Sequence, residues 1–201
     1  MNRISLHEPL PDWVEYRENS YALDLSFDNV LSVFELLKED LLLDHEKASY
    51  ALSMLLREEA ELSLSQKSEL LDLIFTEFIL LSQDGKQSDI KTFDFIQDAG
   101  YIYSSFRMDY GIDLFDEQGK LHWWKFISLF QGLSERTKIR EVMSIRSRKL
   151  PEPTKYNYQE RSELLELKSY YALEQTQEER EQCWQNGLEK LADILKERAV
   201  N

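Results

Sequence analysis

The sequence predicts an all-α fold: an irregular multi-helix domain that allows one short N-terminal strand, followed by a C-terminal helical pair. Three observations predict it. The 201 residues include only six Gly and four Pro, so the chain lacks the breakers that the many tight turns of a sandwich or barrel need. Apolar residues recur at helical spacing over most of its length. Hydrophobic residues make up 42% of the chain and charged residues 31%, which is enough to bury a core beneath a charged surface.

The first elements follow from the spacing of apolar residues. Every second residue from Tyr21 to Phe27 is apolar, which predicts a short strand. Asp28 and Asp44 then stand where helix N-caps are expected, each followed by apolar residues at helical spacing. Residues 65–82 carry an apolar surface wider than one stripe, so this helix is expected at the centre of the core.

The middle of the chain predicts further helices that are separated by turns. A helix with an aromatic face is expected to end at Gly111. The turn-like residues 112–120 lead into a helix that Gly132 stops. Ser134 can cap the helix that follows.

A proline-containing linker divides the chain. Two prolines fall within residues 150–153, where they remove backbone donors and hold the preceding residues out of the helical conformation. We therefore expect a main helical domain over residues 1–150 and a C-terminal helical pair over residues 151–201, docked on it. Thr176 and Glu179 form a capping box that opens the second helix of the pair.

Composition and motifs exclude most kinds of chemistry. The formal charge of −14 repels nucleic acid and anionic membranes taken as a whole, and no run of about 20 apolar residues predicts a membrane span. The single cysteine forms no internal disulfide, which favours a reducing cytoplasm. No phosphate-binding loop, dinucleotide glycine pattern, nucleophile elbow or zinc-peptidase motif occurs. We expect no enzyme, no catalytic residue and no cofactor.

The acidic turn is the one place that resembles a metal site. It supplies oxygen ligands from Asp109, Asp113, Asp116 and Glu117. These residues lack the alternating order of an EF-hand loop and its final bidentate glutamate. Because acidic residues in turns usually cap or face water, we expect no metal.

Two local features concern protein binding. Residues 121–126 read LHWWKF, and adjacent tryptophans on a helix point about 100° apart, so they do not both fill one core stripe. Tryptophan is enriched at interfaces and also packs cores. Residues 134–149, the basic strip, hold six basic and two acidic side chains, a net charge of +4. The strip can serve nucleic acid, an acidic partner or the chain's own acidic helices.

The sequence also resembles a known family. The resemblance lies in FDFIQDAGYIYSSFRMDYGIDL over residues 93–114, in GKLHWWKF over residues 119–126, and in PLPDWVEY over residues 9–16. These motifs are similar to those of the bacteriophage gene-product-fifteen family, found in tailed phages and prophages of Gram-positive bacteria. The resemblance covers residues 9–151, and the C-terminal helical pair matches only loosely.

This resemblance implies a late phage protein from the tail-morphogenesis region, encoded near the tape-measure protein. It further implies a tail-assembly chaperone-like role, in which the chain binds the apolar helices of the tape-measure protein, keeps that protein soluble and helps to recruit tail-tube subunits. Exposed aromatic residues beside a basic strip are suited to hold an amphipathic helix. The candidate protein-binding residues are Tyr110, Trp123, Trp124, Phe126 and Arg140.

Two other functions stay open at this point. One is a structural tail-completion or joining component of the virion, and the other is a nucleic-acid-binding regulator that uses the basic strip. A chaperone is expected in the cytoplasm of the bacterial host cell, and a structural component in the virion. A homo-oligomer would cover the wide apolar surface of residues 65–82, which a central buried helix explains equally well.

Overall fold

The computed structural model describes residues 4–80 and 91–174. Within these residues the fold is mostly helical with one short antiparallel sheet, which confirms the predicted class. The second helix of the predicted C-terminal pair, with its Thr176–Glu179 capping box, lies outside the described residues. The elements are β1 (Trp13–Tyr16), β2 (Asn19–Ala22), α1 (Phe27–Leu37), α2 (Asp44–Leu55), α3 (Leu64–Ile74), a π-helical turn (Phe75–Ile79), α4 (Ala99–Tyr110), α5 (Trp123–Gln131), α6 (Lys138–Ser147) and α7 (Tyr158–Tyr170).

The described residues divide into two compact units, one within residues 4–149 and the other within residues 150–174. All elements from β1 to α6 belong to the first unit, and α7 belongs to the second. Leu164 is the buried residue of α7, whereas Leu165 and Leu167 are exposed.

The N-terminal strand pairs with a partner that the sequence pattern does not reveal. β2 ends at Ala22, and it pairs with β1 through a two-residue turn at Arg17 and Glu18. Leu23 and the residues that follow continue as extended chain, joined by single bridges to Leu56 and to His122. The alternating pattern therefore marks extended backbone with buried side chains, of which only the first part is a sheet strand.

Helix α5 joins two groups of helices. On one side α1 packs against α2 and α2 against α3, and on the other α4 packs against α6; α5 contacts both α1 and α4. Residues 65–82 were expected at the centre, and their described part does contribute Leu70 and Ile74 to the core. The central position nevertheless belongs to α5, because it carries the largest fully buried side chain, Trp123.

Aromatic rings fill the core around α5. The ring of Phe126 stacks on Phe27 at 4.9 Å between centroids, on Phe106 at 5.2 Å and on Trp123 at 5.6 Å. Phe95 reaches the same group, 5.8 Å from Phe126. Such aromatic contacts add to the stabilisation from burying their area.

The start of α5 is fixed by the N-terminal segment. The Trp123 N–H donates to the Leu25 carbonyl at 2.7 Å, and the Phe27 N–H donates to the Leu121 carbonyl at 2.9 Å. These bonds hold the extended residues before α1 against the residue that precedes α5. They satisfy backbone groups that would otherwise be buried without partners.

His122 caps α5. Its Nδ1 accepts from the Trp124 N–H at 3.0 Å, and its Nε2 lies 3.2 Å from the Pro11 carbonyl. Because an amide N–H needs an acceptor and a carbonyl needs a donor, a neutral imidazole with its proton on Nε2 satisfies both partners. Burial, the largest cause, lowers the pKa of His122 below its ordinary value, although the bond to Pro11 opposes this.

A buried ion pair ties α6 to the start of α4. The guanidinium of Arg146 donates to both carboxylate oxygens of Asp98, at 2.6 and 2.8 Å, and to the Thr92 carbonyl at 3.0 Å. The side chain of Arg146 is 8% exposed and that of Asp98 2%. Asp98 also accepts from the Asp94 N–H at 3.0 Å. The pair therefore fixes the segment that leads into α4.

Asp94 extends this network to the surface. Its carboxylate accepts from Lys38 and from Lys91, both at 2.9 Å, and from the backbone N–H groups of Ile96 and Gln97. Burial raises the pKa of Asp94, but the two lysines and the backbone donors together hold it well below its usual range.

Stability is expected to fall in two steps as the pH is lowered. The folded state lowers the pKa of both His122 and Asp94, so it binds fewer protons than the unfolded chain. Their contributions are complete above the unfolded values of about 6.5 and about 3.9, and each is lost as the pH falls through the lower value of the folded state. Urea unfolding from pH 7.5 to pH 3 measures the first step and the onset of the second, because the pKa of folded Asp94 lies well below its usual range. His122→Asn is the control, because asparagine can cap a helix without titrating. If the free energy of unfolding of His122→Asn fell between pH 7 and pH 5 as steeply as that of the wild type, the first step would not come from His122.

Candidate protein-binding groove

Two of the five predicted contact residues lie in the core. Trp123 is 2% exposed and Phe126 is 0% exposed. Their rings pack on aromatic residues of α1 and α4, so neither offers a surface to a partner in the folded chain. The proposed contact role for these two residues conflicts with this burial, because their apolar area is already removed from water.

The adjacent tryptophans share one structural task. The indole N–H of Trp123 donates to the Ile79 carbonyl at 3.1 Å, and that of Trp124 donates to the Phe78 carbonyl at 2.7 Å. These carbonyls lie at the end of the π-helical turn, where a helix has acceptors without internal partners. Trp124 is half-buried and stacks on Phe78, so of the two tryptophans it is the one with exposed surface.

Tyr110 and Arg140 meet at the end of α5. The Tyr110 hydroxyl donates to the Leu129 carbonyl at 2.9 Å, and Arg140 donates to the carbonyls of Gln131 and Leu133. Burial raises the pKa of Tyr110, so the hydroxyl keeps its proton at neutral pH. Both side chains cap the helix. A role in binding a partner stays a prediction for Tyr110, Trp124 and Arg140.

The basic strip is partly engaged by the chain itself. Arg146 is buried with Asp98, Arg140 caps α5, and Lys138 pairs with Glu141 at 2.9 Å. The exposed cations of the strip are Arg136, Arg148 and Lys149. Half of its positive charge thus serves contacts within the fold.

An apolar groove opens between α1 and α4. Its volume is about 300 Å³, and the loop of residues 112–120 closes one side of it. The groove was not predicted from the sequence. Most of its lining is apolar, and the polar residues lie on α1 and the loop. The lining consists of Phe27, Asp28, Leu31, Ser32 and Glu35 of α1, then Phe95, Ile96, Ala99, Ile102 and Tyr103, then Leu114, Phe115 and Gln118, and Phe126, which is itself 0% exposed.

Phe115 stands at the rim of this α1–α4 groove. Its side chain is 70% exposed, although its ring lies 5.3 Å from that of Tyr103. The Phe115 N–H donates to Asp113 at 3.1 Å, and the Tyr103 hydroxyl donates to the same carboxylate at 3.1 Å. This bond is the largest cause that raises the pKa of Tyr103, so the donor persists at neutral pH. The loop therefore holds a large apolar side chain in water.

Glycines and one aspartate fix the ends of the 112–120 loop. Gly111 and Gly119 have φ values of 67° and 69°, a left-handed conformation that glycine adopts without strain. The Gly119 N–H donates to the Asp28 carboxylate at 2.9 Å. Since Asp28 lies in the first turn of α1, this bond fastens the loop to one wall of the groove.

The acidic turn is occupied by structural contacts. Asp113 holds Tyr103 and the loop backbone, and Asp109 accepts from the N–H and hydroxyl of Ser134. In the part of the chain that the structure describes, no group of three or more His, Cys, Asp or Glu side chains is arranged to hold a metal ion.

The groove could not be predicted from the sequence, because its lining residues come from four separate segments. The one signal that points to it is Phe115 itself, an aromatic residue between Asp113 and Asp116 in a turn. A single exposed apolar residue is common on protein surfaces, so this signal is not specific without the neighbouring lining residues.

Comparison with known proteins identifies the family. The family model described as Bacteriophage Gp15 protein matches residues 6–173. The chain belongs to this family. The Gp15 match includes every residue that lines the α1–α4 groove, and it extends beyond the linker to cover α7. Family membership indicates a bacteriophage protein of the structural or morphogenesis class.

Two further comparisons complete this result. No curated protein and no solved structure matches the Gp15 chain. In residues 4–80 and 91–174, no helix is both long and apolar enough to cross a membrane.

Proposed function

We propose that the chain is a non-catalytic, tail-assembly chaperone-like protein that binds the tape-measure protein before tail assembly, and that it helps to recruit tail-tube subunits in the host cytoplasm. The observation that carries this proposal is the exposed apolar groove within a member of the Gp15 family. A protein that binds apolar helices needs an apolar surface that its own fold leaves open.

The surface charge supports a binder that works in many copies. With a formal charge of −14, copies of the chain repel one another, which keeps them and their complexes soluble. The groove interrupts that charged surface with apolar side chains from α1, α4 and the 112–120 loop.

The basic strip gives less support to a nucleic-acid-binding function. Its buried arginine is neutralised by Asp98 and another caps α5. Three exposed cations remain in a strongly acidic chain, whereas affinity for a phosphate backbone grows with the number of phosphates that are neutralised.

Co-expression with the tape-measure protein of the same phage is expected to raise the soluble fraction of that protein severalfold and to yield a complex that co-purifies. The soluble and pelleted fractions, followed by size-exclusion chromatography, measure this. The control is the tape-measure protein expressed alone. An unchanged soluble fraction with no complex at low salt would refute the proposal.

Mass spectrometry of purified virions separates the chaperone from a structural tail-completion or joining component. A chaperone leaves before the particle is finished, so the chain should be absent from virions. Its presence at a fixed copy number would instead make it a structural component.

A further inference from the structure

We propose that the α1–α4 groove binds one face of an amphipathic helix that carries lysine or arginine beside its apolar stripe. The proposal deepens the proposed function, on which it rests for the identity of the partner, because the helix would belong to the tape-measure protein. The shape and the charge of the groove alone indicate the chemical class of the partner.

The shape of the groove favours a helix over a small molecule. Two helices of similar length, α1 and α4, line the groove, and the exposed ring of Phe115 lies at its rim. At about 300 Å³ the groove is at the lower limit of the pockets that bury small ligands. Helix-binding grooves accept a row of side chains spaced three or four residues apart. The lining residues Phe27 and Leu31 of α1, and Ala99 and Ile102 of α4, recur at that spacing.

The charges along the groove favour basic residues beside the apolar stripe of the bound helix. The two charged residues of the lining, Asp28 and Glu35, are both acidic. Asp28 already accepts from the Gly119 N–H, but Glu35 is exposed, and no cation of residues 4–80 or 91–174 pairs with it. Asp116 on the loop does not line the groove, and the Lys120 ammonium donates to its carbonyl at 2.7 Å. A helix with basic flanks gains attraction here, whereas an acidic one is repelled.

The same charges disfavour a second copy of the chain as the occupant. Two copies would bring together surfaces that each carry a net charge of −14, and like charges at an interface oppose association. The basic strip is the one segment of a second copy that could offset this, and half of its cations are engaged within its own fold.

A peptide-binding experiment with the full chain tests the proposal. The probe is a fluorescein-labelled peptide of about 18 residues, roughly five helical turns, with leucines on one face and lysines beside them. Fluorescence anisotropy gives the dissociation constant. Phe115→Ala is expected to weaken binding about tenfold, as loss of an aromatic anchor does. Met108→Ala is its matched control, because Met108 is exposed on α4 outside the groove. It should bind as the wild type does.

A charge reversal tests the second half of the proposal. Glu35→Lys is expected to weaken the lysine peptide about tenfold at low salt, with the difference shrinking at high salt as exposed charges are screened. Asp72→Lys on α3 is the control, since it makes the same change of net charge away from the groove. A peptide with glutamates in place of the lysines should bind weakly to the wild type. One with the same composition and a scrambled apolar face should also bind weakly.

Each outcome decides between the occupants. Equal binding by Phe115→Ala, Glu35→Lys and their controls would overturn the proposal, as would a shift of the wild type to a dimer that Phe115→Ala abolishes in sedimentation. If the groove variants lose the peptide but the tape-measure protein never co-purifies, the groove inference stands and the proposed function fails. If the tape-measure protein co-purifies equally with both groove variants, the proposed function stands and the groove inference fails.

Discussion

Replacing Arg146 by methionine is expected to lower the free energy of unfolding by about 3–5 kcal/mol, because the change leaves the buried carboxylate of Asp98 without its cation. The side chain of Asp98 is 2% exposed, and Arg146 supplies two of its hydrogen bonds. The guanidinium also satisfies the Thr92 carbonyl. Urea denaturation at pH 7, followed by far-UV circular dichroism, measures the loss.

Two further variants make the result interpretable. Arg148→Met removes an exposed arginine at the end of the same helix and should change stability by no more than about 0.5 kcal/mol. Combining Arg146→Met with Asp98→Asn removes the unpaired charge and should recover part of the loss, since the cost lies in the uncompensated carboxylate. If the single Arg146 variant were as stable as Arg148→Met, the ion pair would not be holding α6 to α4.

Replacing Phe126 by alanine is expected to destabilise the fold by about 3–5 kcal/mol, the usual cost of removing a buried phenylalanine. Its ring contacts Phe27, Phe106 and Trp123 within one aromatic cluster. The resulting cavity would lie on α5, the helix that joins the two groups. Thermal and urea unfolding measure the change.

The matched control is Phe115→Ala, which removes an equal volume from a side chain that is 70% exposed. It should alter stability by no more than about 0.5 kcal/mol while weakening peptide binding. The two phenylalanines thus separate core from contact surface. If Phe126→Ala had normal stability and had lost only partner binding, Phe126 would be a contact residue and not a core residue.

Local signals in the sequence predicted where two helices end but not where the helices begin. Asp28, Asp44 and Ser134 were expected as N-caps, whereas Ser26, Leu43 and Thr137 occupy those positions. Gly111 was expected to end a helix, and it does so with a left-handed φ of 67°. Gly132 likewise follows the last residue of α5. At Gly111 the left-handed glycine ends the helix, so the information lies within a few positions of the chain. Gly132 has a φ of −80°, a conformation open to any residue.

The β-hairpin could not be predicted in the same way. Its turn uses Arg17 at a φ of 56°, where glycine or asparagine is the usual signal. A distant contact holds this turn: Arg17 bonds to Glu69 at 3.2 Å, and the Tyr16 hydroxyl bonds to the same carboxylate at 2.6 Å. Because Glu69 lies on α3, no local pattern around Arg17 contains this information.

The candidate site was harder still to predict. The run His122–Phe126 was expected to contribute contact residues because it is rich in aromatic side chains, yet composition does not separate core from interface. That distinction is made by Phe27 and Phe106, which cover the buried face of α5. The groove itself arises only when α1, α4 and the 112–120 loop come together.

The backbone bonds that join residues 25–27 to residues 121–123 also set the order in which the fold can form. They connect segments almost a hundred residues apart, so they cannot close on a nascent chain until Trp123 has left the ribosome. Pairings of such long sequence separation slow folding, because the entropy of closing the loop is lost before the contacts form and stabilise it. Until then the aromatic faces of α1 and α4 lack the ring of Phe126 between them. Synthesis of α5 therefore joins α1 to α4, and the core is complete only when α6 adds Ile139 and Val142. Truncation before α5 removes α6 as well, and it leaves α1 and α4 without their common partner.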